Sequence, residues 1–175
     1  MAERKNVITF KGNPATLSGE GVKVGQTAPD CTLVATDLSE KKMSGYKGKT
    51  VILSVVPSLD TGVCDKQTRK FNEEAAALGA GVVILTVSRD LPFAQKRWCG
   101  AAGVDRVVTL SDFRDGSFGK AFGLVIGGCP LAGVLARAVY VIDEAGVIRY
   151  EQIVPEITQE PDYAKALDAA KAEVG

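Results

Sequence analysis

The sequence predicts an α/β fold: a mixed central sheet flanked by helices, with a β-hairpin at the N-terminus. Three observations carry that reading. "TVILSVVP" (Thr50 to Pro57) and "GVVILTVS" (Gly81 to Ser88) are continuous runs rich in β-branched residues, the pattern of strands buried on both faces. Segments with helical spacing separate such runs, so strand and helix alternate through the centre, which implies parallel strands joined by right-handed crossovers. Near each end, two alternating runs bracket a turn and add antiparallel hairpins.

Taken in order, "VITFKGNPATLS" reads as a hairpin around Gly12-Asn13, and "DCTLVATD" as a strand. After the first buried strand, Cys64 to Leu78 reads as a helix. Phe71, Ala75 and Leu78 share one face of it, and Gly79-Ala80-Gly81 ends it. After the second buried strand, "LPFAQKRWCGAAG" is a helix that begins near Pro92 and stops at glycines. "DRVVTLSD" is a third strand, Ser117 to Phe122 a short helix, and "GLVIGGCPLAGVLA" a glycine-rich connection. "RAVYVID" and "VIRYEQI" form a hairpin around Glu144-Ala145-Gly146, and "PDYAKALDAAKAEV" is a closing helix. This layout includes the thioredoxin-like arrangement. The 175 residues are expected to form one domain, because two would be cramped at that length.

Composition narrows the function classes. Lys plus Arg and Asp plus Glu each number 21, so the formal charge is zero and no basic footprint for nucleic acid is present. "MAERKNVITF" has no apolar signal region, and no stretch approaches the ~20 apolar residues of a membrane span. The expected location is the cytoplasm, where a free thiol is the ordinary state of cysteine. The chain has no histidine, which removes Cys-His and Ser-His-Asp schemes and H-E-x-x-H metal sites together. "GYKGKT" resembles the end of a phosphate loop, but Met43 stands where that loop needs glycine and a strand follows, so it reads as a basic turn. Cys31, Cys64, Cys99 and Cys129 contain no C-x-x-C, which argues against a zinc ribbon or a two-cysteine thioredoxin site.

Cys64 stands out by position. It follows a strand end, Pro57 and a small-residue turn, and it opens a helix, beyond the carboxyl end of a strand where open α/β sheets bind ligands. The thiolate is the nucleophile, whereas a free cysteine of pKa about 8.5 is mostly thiol at neutral pH. Helix N-terminal N–H groups favour an anion there. Lys66, Arg69 and Lys70 are near in sequence, but Arg69 points to a different part of the helix surface, so an activator from elsewhere in the fold is also open. The competing reading is a small core cysteine that only packs.

Pro57, Thr61 and Cys64 form P-x-x-x-T-x-x-C, and with this pattern the chain resembles the peroxiredoxins. "PSLDTGVC" followed by "RKFN", together with "FKGNP", "LPFAQKRWCG", "ARAVYVIDE" and "EITQEPDY", is similar to the thiol peroxidase branch, the atypical two-cysteine peroxiredoxins, over almost the whole chain. The resemblance implies a thioredoxin-like fold, a homodimer, thioredoxin as reductant, and hydrogen peroxide and organic hydroperoxides as substrates. It implies that Cys64 is the peroxidatic cysteine and Cys99 the resolving one, joined by an intrachain disulfide. Thr61 and Arg137 would hold the thiolate and the peroxide, and Pro57 would shield the pocket. No cofactor or metal is expected.

Arg137 suits this role because it supplies the permanent charge that the absent histidines cannot. In a thioredoxin-like fold the two cysteine helices flank different strands, so turnover is expected to need local unwinding around Cys64 or Cys99. The alternatives are specific. Cys99 can simply pack beside Trp98, Arg137 can pair with Asp143, and Thr61 can act as a helix cap. Cys31 is expected in the core, and Cys129 in a loop, where it can compete as a partner of Cys64. A sensor or relay that passes its disulfide to a partner protein is the rival function, and a non-catalytic thioredoxin-fold binding module is a further one.

Overall fold

The computed structural model describes residues 2–174. In chain order the first elements are β1 (Glu3–Phe10), β2 (Asn13–Ser18), β3 (Thr32–Ala35), β4 (Glu40–Lys42) and β5 (Thr50–Val55). Then come α1 (Gly62–Ala75), β6 (Val82–Ser88), α2 (Pro92–Ala102), β7 (Val108–Ser111) and α3 (Ser117–Phe122). The chain ends with β8 (Ile126–Gly127), β9 (Ala138–Ile142), β10 (Ile148–Ile153) and α4 (Tyr163–Val174).

The main sheet has seven strands in the order β10-β9-β5-β6-β7-β3-β4. β5, β6 and β7 run parallel, and their crossovers are α1 and α2, as strand–helix alternation requires. β9 joins β5 antiparallel and β10 returns beside β9, so the sheet is mixed. β1, β2 and β8 make a separate three-stranded sheet.

The period of two along the central strands splits the core. Val51, Leu53 and Val55 of β5 face one side, with Tyr140, Phe118 and Phe122. Ile52 and Val56 face the other, with Val139, Val141, Phe71 of α1, Trp98 of α2 and Ala166 of α4. Helices therefore lie on both faces, α3 on one and α1, α2 and α4 on the other. Burial on both faces is why the strand runs carry no polar alternation.

Three details differ from the sequence reading. The first hairpin turns at Lys11-Gly12, with φ of 50° and 80°, and Asn13 already pairs with Phe10. Both turn residues occupy the left-handed region that a two-residue hairpin needs, and the glycine supplies one of them without strain. α1 begins two residues earlier than Cys64 and ends at Ala75. β4 and β8 were not expected: β4 is an exposed Glu-Lys-Lys edge and β8 has two residues, so neither carries an apolar pattern. α2 matches closely, with Pro92 at its first position and Gly103 closing it at φ 67°.

Candidate active site

The connection from β5 to α1 is built by a carboxylate from another segment. Asp90, just after β6, accepts from Ser58 Oγ at 2.7 Å, from the Leu59 N–H at 2.8 Å and from Ser88 Oγ at 2.7 Å. This fixes the turn that follows the buried Pro57. Thr61 is the N-cap of α1 with extended backbone, yet its side chain makes no cap bond. Its hydroxyl donates back to the Ser58 carbonyl at 2.9 Å. The cap reading therefore holds for the backbone position and not for the hydroxyl.

Cys64 is the third residue of α1, where helix geometry leaves the N–H without an intrahelical partner. Its side chain is 0% exposed. Arg137, immediately before β9, reaches it across the fold: Nη1 lies 3.4 Å from Cys64 Sγ. The same Nη1 donates to Gln67 Oε1 at 3.0 Å, and Nε donates to the Ile157 carbonyl at 2.9 Å. Gln67 is anchored in turn, its amide donating to Ser54 Oγ of β5 at 2.8 Å.

Arg137 is 2% exposed, and among the described residues no carboxylate forms an ion pair with it. Asp143, the acid suggested as its partner, pairs with Arg149 at 2.7 Å instead. A buried guanidinium without an acid is costly unless its N–H groups are met; here the Ile157 carbonyl, Gln67 Oε1 and the Cys64 sulfur meet them.

The carbonyl that aims Arg137 is itself held. Pro155 and Ile157 bond the backbone of Thr9 in β1, at 2.7 and 3.0 Å. Glu156 accepts from the Gly12 N–H at 2.8 Å and from Thr158.

The four cysteines are free thiols and divide between the two faces of the sheet. Cys31 and Cys129 belong to the cluster on the α3 side. Cys64 lies in the opposite cluster, with Cys99 of α2 packed against it. Burial, with nearby acids adding to it, pushes the Cys31 thiol up to about 12, which disfavours its thiolate. Burial also raises the Cys99 thiol, opposed by a contact with Thr109 Oγ1 at 3.7 Å.

The structure thus brings Arg137 to Cys64, places Cys99 in the same cluster, and bonds the Thr61 hydroxyl to the Ser58 carbonyl. Sequence reasoning passed over Gln67, Ser54 and Asp90. Gln67 had a signal: it is a polar residue three positions after Cys64, on the buried side of the helix. Among the described residues, no cluster of three or more His, Cys, Asp or Glu could hold a metal ion, and no helix is long and apolar enough to cross a membrane.

The redoxin family profile matches residues 23–167. The thiol peroxidase of Bacillus subtilis is 58% identical over 165 residues, covering 94% of this chain and 96% of that protein. The chain belongs to the thiol peroxidase family. The thiol peroxidase of Halalkalibacterium halodurans is 59% identical, covering 94% of this chain and 97% of that protein. Among solved structures, a peroxiredoxin-like protein from Aquifex aeolicus superposes with a TM-score of 0.90 at 46% identity, covering 95% and 96% of the two chains. A member of the thiol peroxidases is a peroxidase, an oxidoreductase that reduces peroxides with thiols, and the redoxin fold is the thioredoxin-like one expected from the sequence.

Proposed function

We propose that the chain reduces hydrogen peroxide and organic hydroperoxides at Cys64, resolves the product with Cys99 inside one chain, and is recycled by thioredoxin. In this reading it works as a single-domain homodimer in the cytoplasm. The observation that carries it is the buried Arg137, which pairs with no carboxylate among the described residues and lies 3.4 Å from Cys64 Sγ.

The Cys64 thiolate attacks one peroxide oxygen. An S–O bond forms, the O–O bond breaks, and the leaving oxygen departs as alkoxide or hydroxide and takes up a proton. Arg137 and the Cys64 N–H are donors for the charge that moves along the O–O axis. The Thr61 hydroxyl has its proton committed to Ser58, so its lone pairs are free to accept from the hydroperoxide O–H. Pro57, buried at the strand end, keeps water from the sulfur. The resulting sulfenic acid condenses with the Cys99 thiol: an S–S bond forms and water leaves. A dithiol reductant then returns both sulfurs to thiols.

Two variants test the assignment. Cys64→Ser is expected to abolish peroxidase activity. Cys99→Ser is expected to keep the first oxidation by one equivalent of peroxide while losing turnover with thioredoxin and its reductase. Normal turnover by the Cys99 variant would overturn its role. A stall of the native protein after one equivalent would favour the relay reading.

A further inference from the structure

α1 carries a second stripe beside the one that buries Cys64. Asp65, Arg69 and Asn72 are four and three residues apart, so they share one face, and all three engage the segment that carries Cys99. Asp65 Oδ1 accepts from Trp98 Nε1 of α2 at 3.1 Å. Arg69 pairs with Asp65 at 2.9 Å, donates to the Ala102 carbonyl at 3.1 Å, and lies 5.7 Å from the Trp98 ring. Asn72 accepts from the Arg106 N–H, just beyond α2, at 2.7 Å.

Asp65 directly follows Cys64, and Trp98 directly precedes Cys99. The immediate neighbours of the two sulfurs are therefore bonded to each other while both thiols are free. A disulfide needs Cα atoms within about 7 Å and Cβ vectors that point together. Rearranging either helix end to reach that geometry must move Asp65 against Trp98.

We propose that the Asp65–Trp98 hydrogen bond, braced by Arg69, is a latch that sets how fast the oxidised site opens, and so fixes the partition of the Cys64 sulfenic acid between two fates. In one, the Cys99 thiol attacks the sulfenic sulfur, giving the disulfide and water. In the other, a second peroxide oxidises the sulfenic acid to sulfinic acid, giving water or an alcohol, which ends the cycle. A tighter latch favours the second fate. Asp65 and Trp98 are positioning residues: among the described residues, neither makes a hydrogen bond to a cysteine sulfur. The inference rests on the resolving role proposed for Cys99.

The test uses the full chain, with Asp65→Ala and Trp98→Phe as latch-breaking variants and Asp65→Asn as the conservative one. The disulfide and sulfinic products at Cys64 are quantified by mass spectrometry across a hydrogen peroxide series, and sulfenic acid decay is followed in single turnover. Both breaking variants are expected to form the disulfide about fivefold faster, the factor that one net hydrogen bond represents. They should need correspondingly more peroxide for half-conversion to sulfinic acid, with the first oxidation rate unchanged. Asp65→Asn keeps an acceptor for Trp98 and weakens only an exposed ion pair, so it should stay within about twofold of the native protein. Trp98→Phe keeps the charge beside Cys64, so it decides the matter if Asp65→Ala folds poorly. Native disulfide and sulfinic yields in Trp98→Phe would overturn the latch while leaving Cys99 as resolver. Absence of a Cys64–Cys99 disulfide in the native protein would overturn both.

Discussion

A single nitrogen of Arg137, Nη1, is shared between Cys64 Sγ at 3.4 Å and Gln67 Oε1 at 3.0 Å. Nε is taken by the Ile157 carbonyl. The planar fork of arginine makes all three contacts, and a lysine ammonium cannot reproduce them. Arg137→Lys is expected to slow the first oxidation of Cys64 by about 10²- to 10³-fold, the usual loss when one preorganised donor is removed. Stopped-flow oxidation of the free thiol measures it, and a change below tenfold would remove Arg137 from the machinery.

Gln67 accepts from Arg137 and, among the described residues, makes no hydrogen bond to a sulfur. Gln67→Leu keeps most of the volume and deletes the acceptor. The rate of oxidation should fall about tenfold, as for losing one hydrogen bond to a charged group. Charging guanidinium rescue of Arg137→Ala gives a second readout: rescue should be weaker in the double variant, because the site no longer orients the added cation.

Cys129 lies on the opposite face of the sheet from Cys64, in the cluster that also holds Cys31. Reaching Cys64 would require crossing the main sheet. Cys129→Ala should turn over peroxide at the native rate and still give the same disulfide. A peptide map with Cys64 joined to Cys129 in the native protein would refute this.

Glu156 ties the first hairpin to the segment that aims Arg137. The Thr158 N–H foremost, then the Gly12 N–H and the Thr158 hydroxyl, hold its carboxyl at about 2, below the ordinary 4.5. A carboxyl depressed on folding stabilises the native state above its unfolded value, and that stability is lost as pH falls. Glu156 should thus contribute fully above pH 4.5 and progressively less down to about pH 2. Glu156→Gln should flatten this part of the acid unfolding curve. An unchanged curve between those values would show that the carboxyl has no such role.

Phe71 is 0% exposed and meets Tyr163 of α4 edge to face at 5.3 Å. Phe71→Ala should cost about 3–5 kcal/mol of folding stability through lost contacts and the cavity left behind. Denaturant unfolding measures it, and a loss under about 1 kcal/mol would mean that the site collapses around the gap.

The legible parts of the sequence were those where one physical rule dominates. β5 and β6 were read from unbroken β-branched runs, and α2 from Pro92 and Gly103. Cys64 was legible because a strand end, a turn and a helix start are local signals. Arg137 was found through the family pattern alone, since a charge before a strand says nothing of what lies across the fold. Asp90 and Ser54 escaped because each bonds a partner distant in sequence, and no periodicity encodes such a pairing; the helical period put Gln67 on the buried side, but not its partner Arg137. β4 and β8 escaped because pairing, and no apolar pattern, makes them strands.

The first hairpin has a consequence for the reaction. The redoxin profile begins at residue 23, after β1 and β2 have ended. The sulfur and the arginine both lie within the matched residues, yet Ile157, whose carbonyl aims the arginine, donates its N–H to the carbonyl of Thr9, outside them. The appended ribbon behaves as an alignment jig. A change of one residue in its register would shift the Ile157 carbonyl, and with it the buried guanidinium beside Cys64, without altering Arg137 or Cys64 itself.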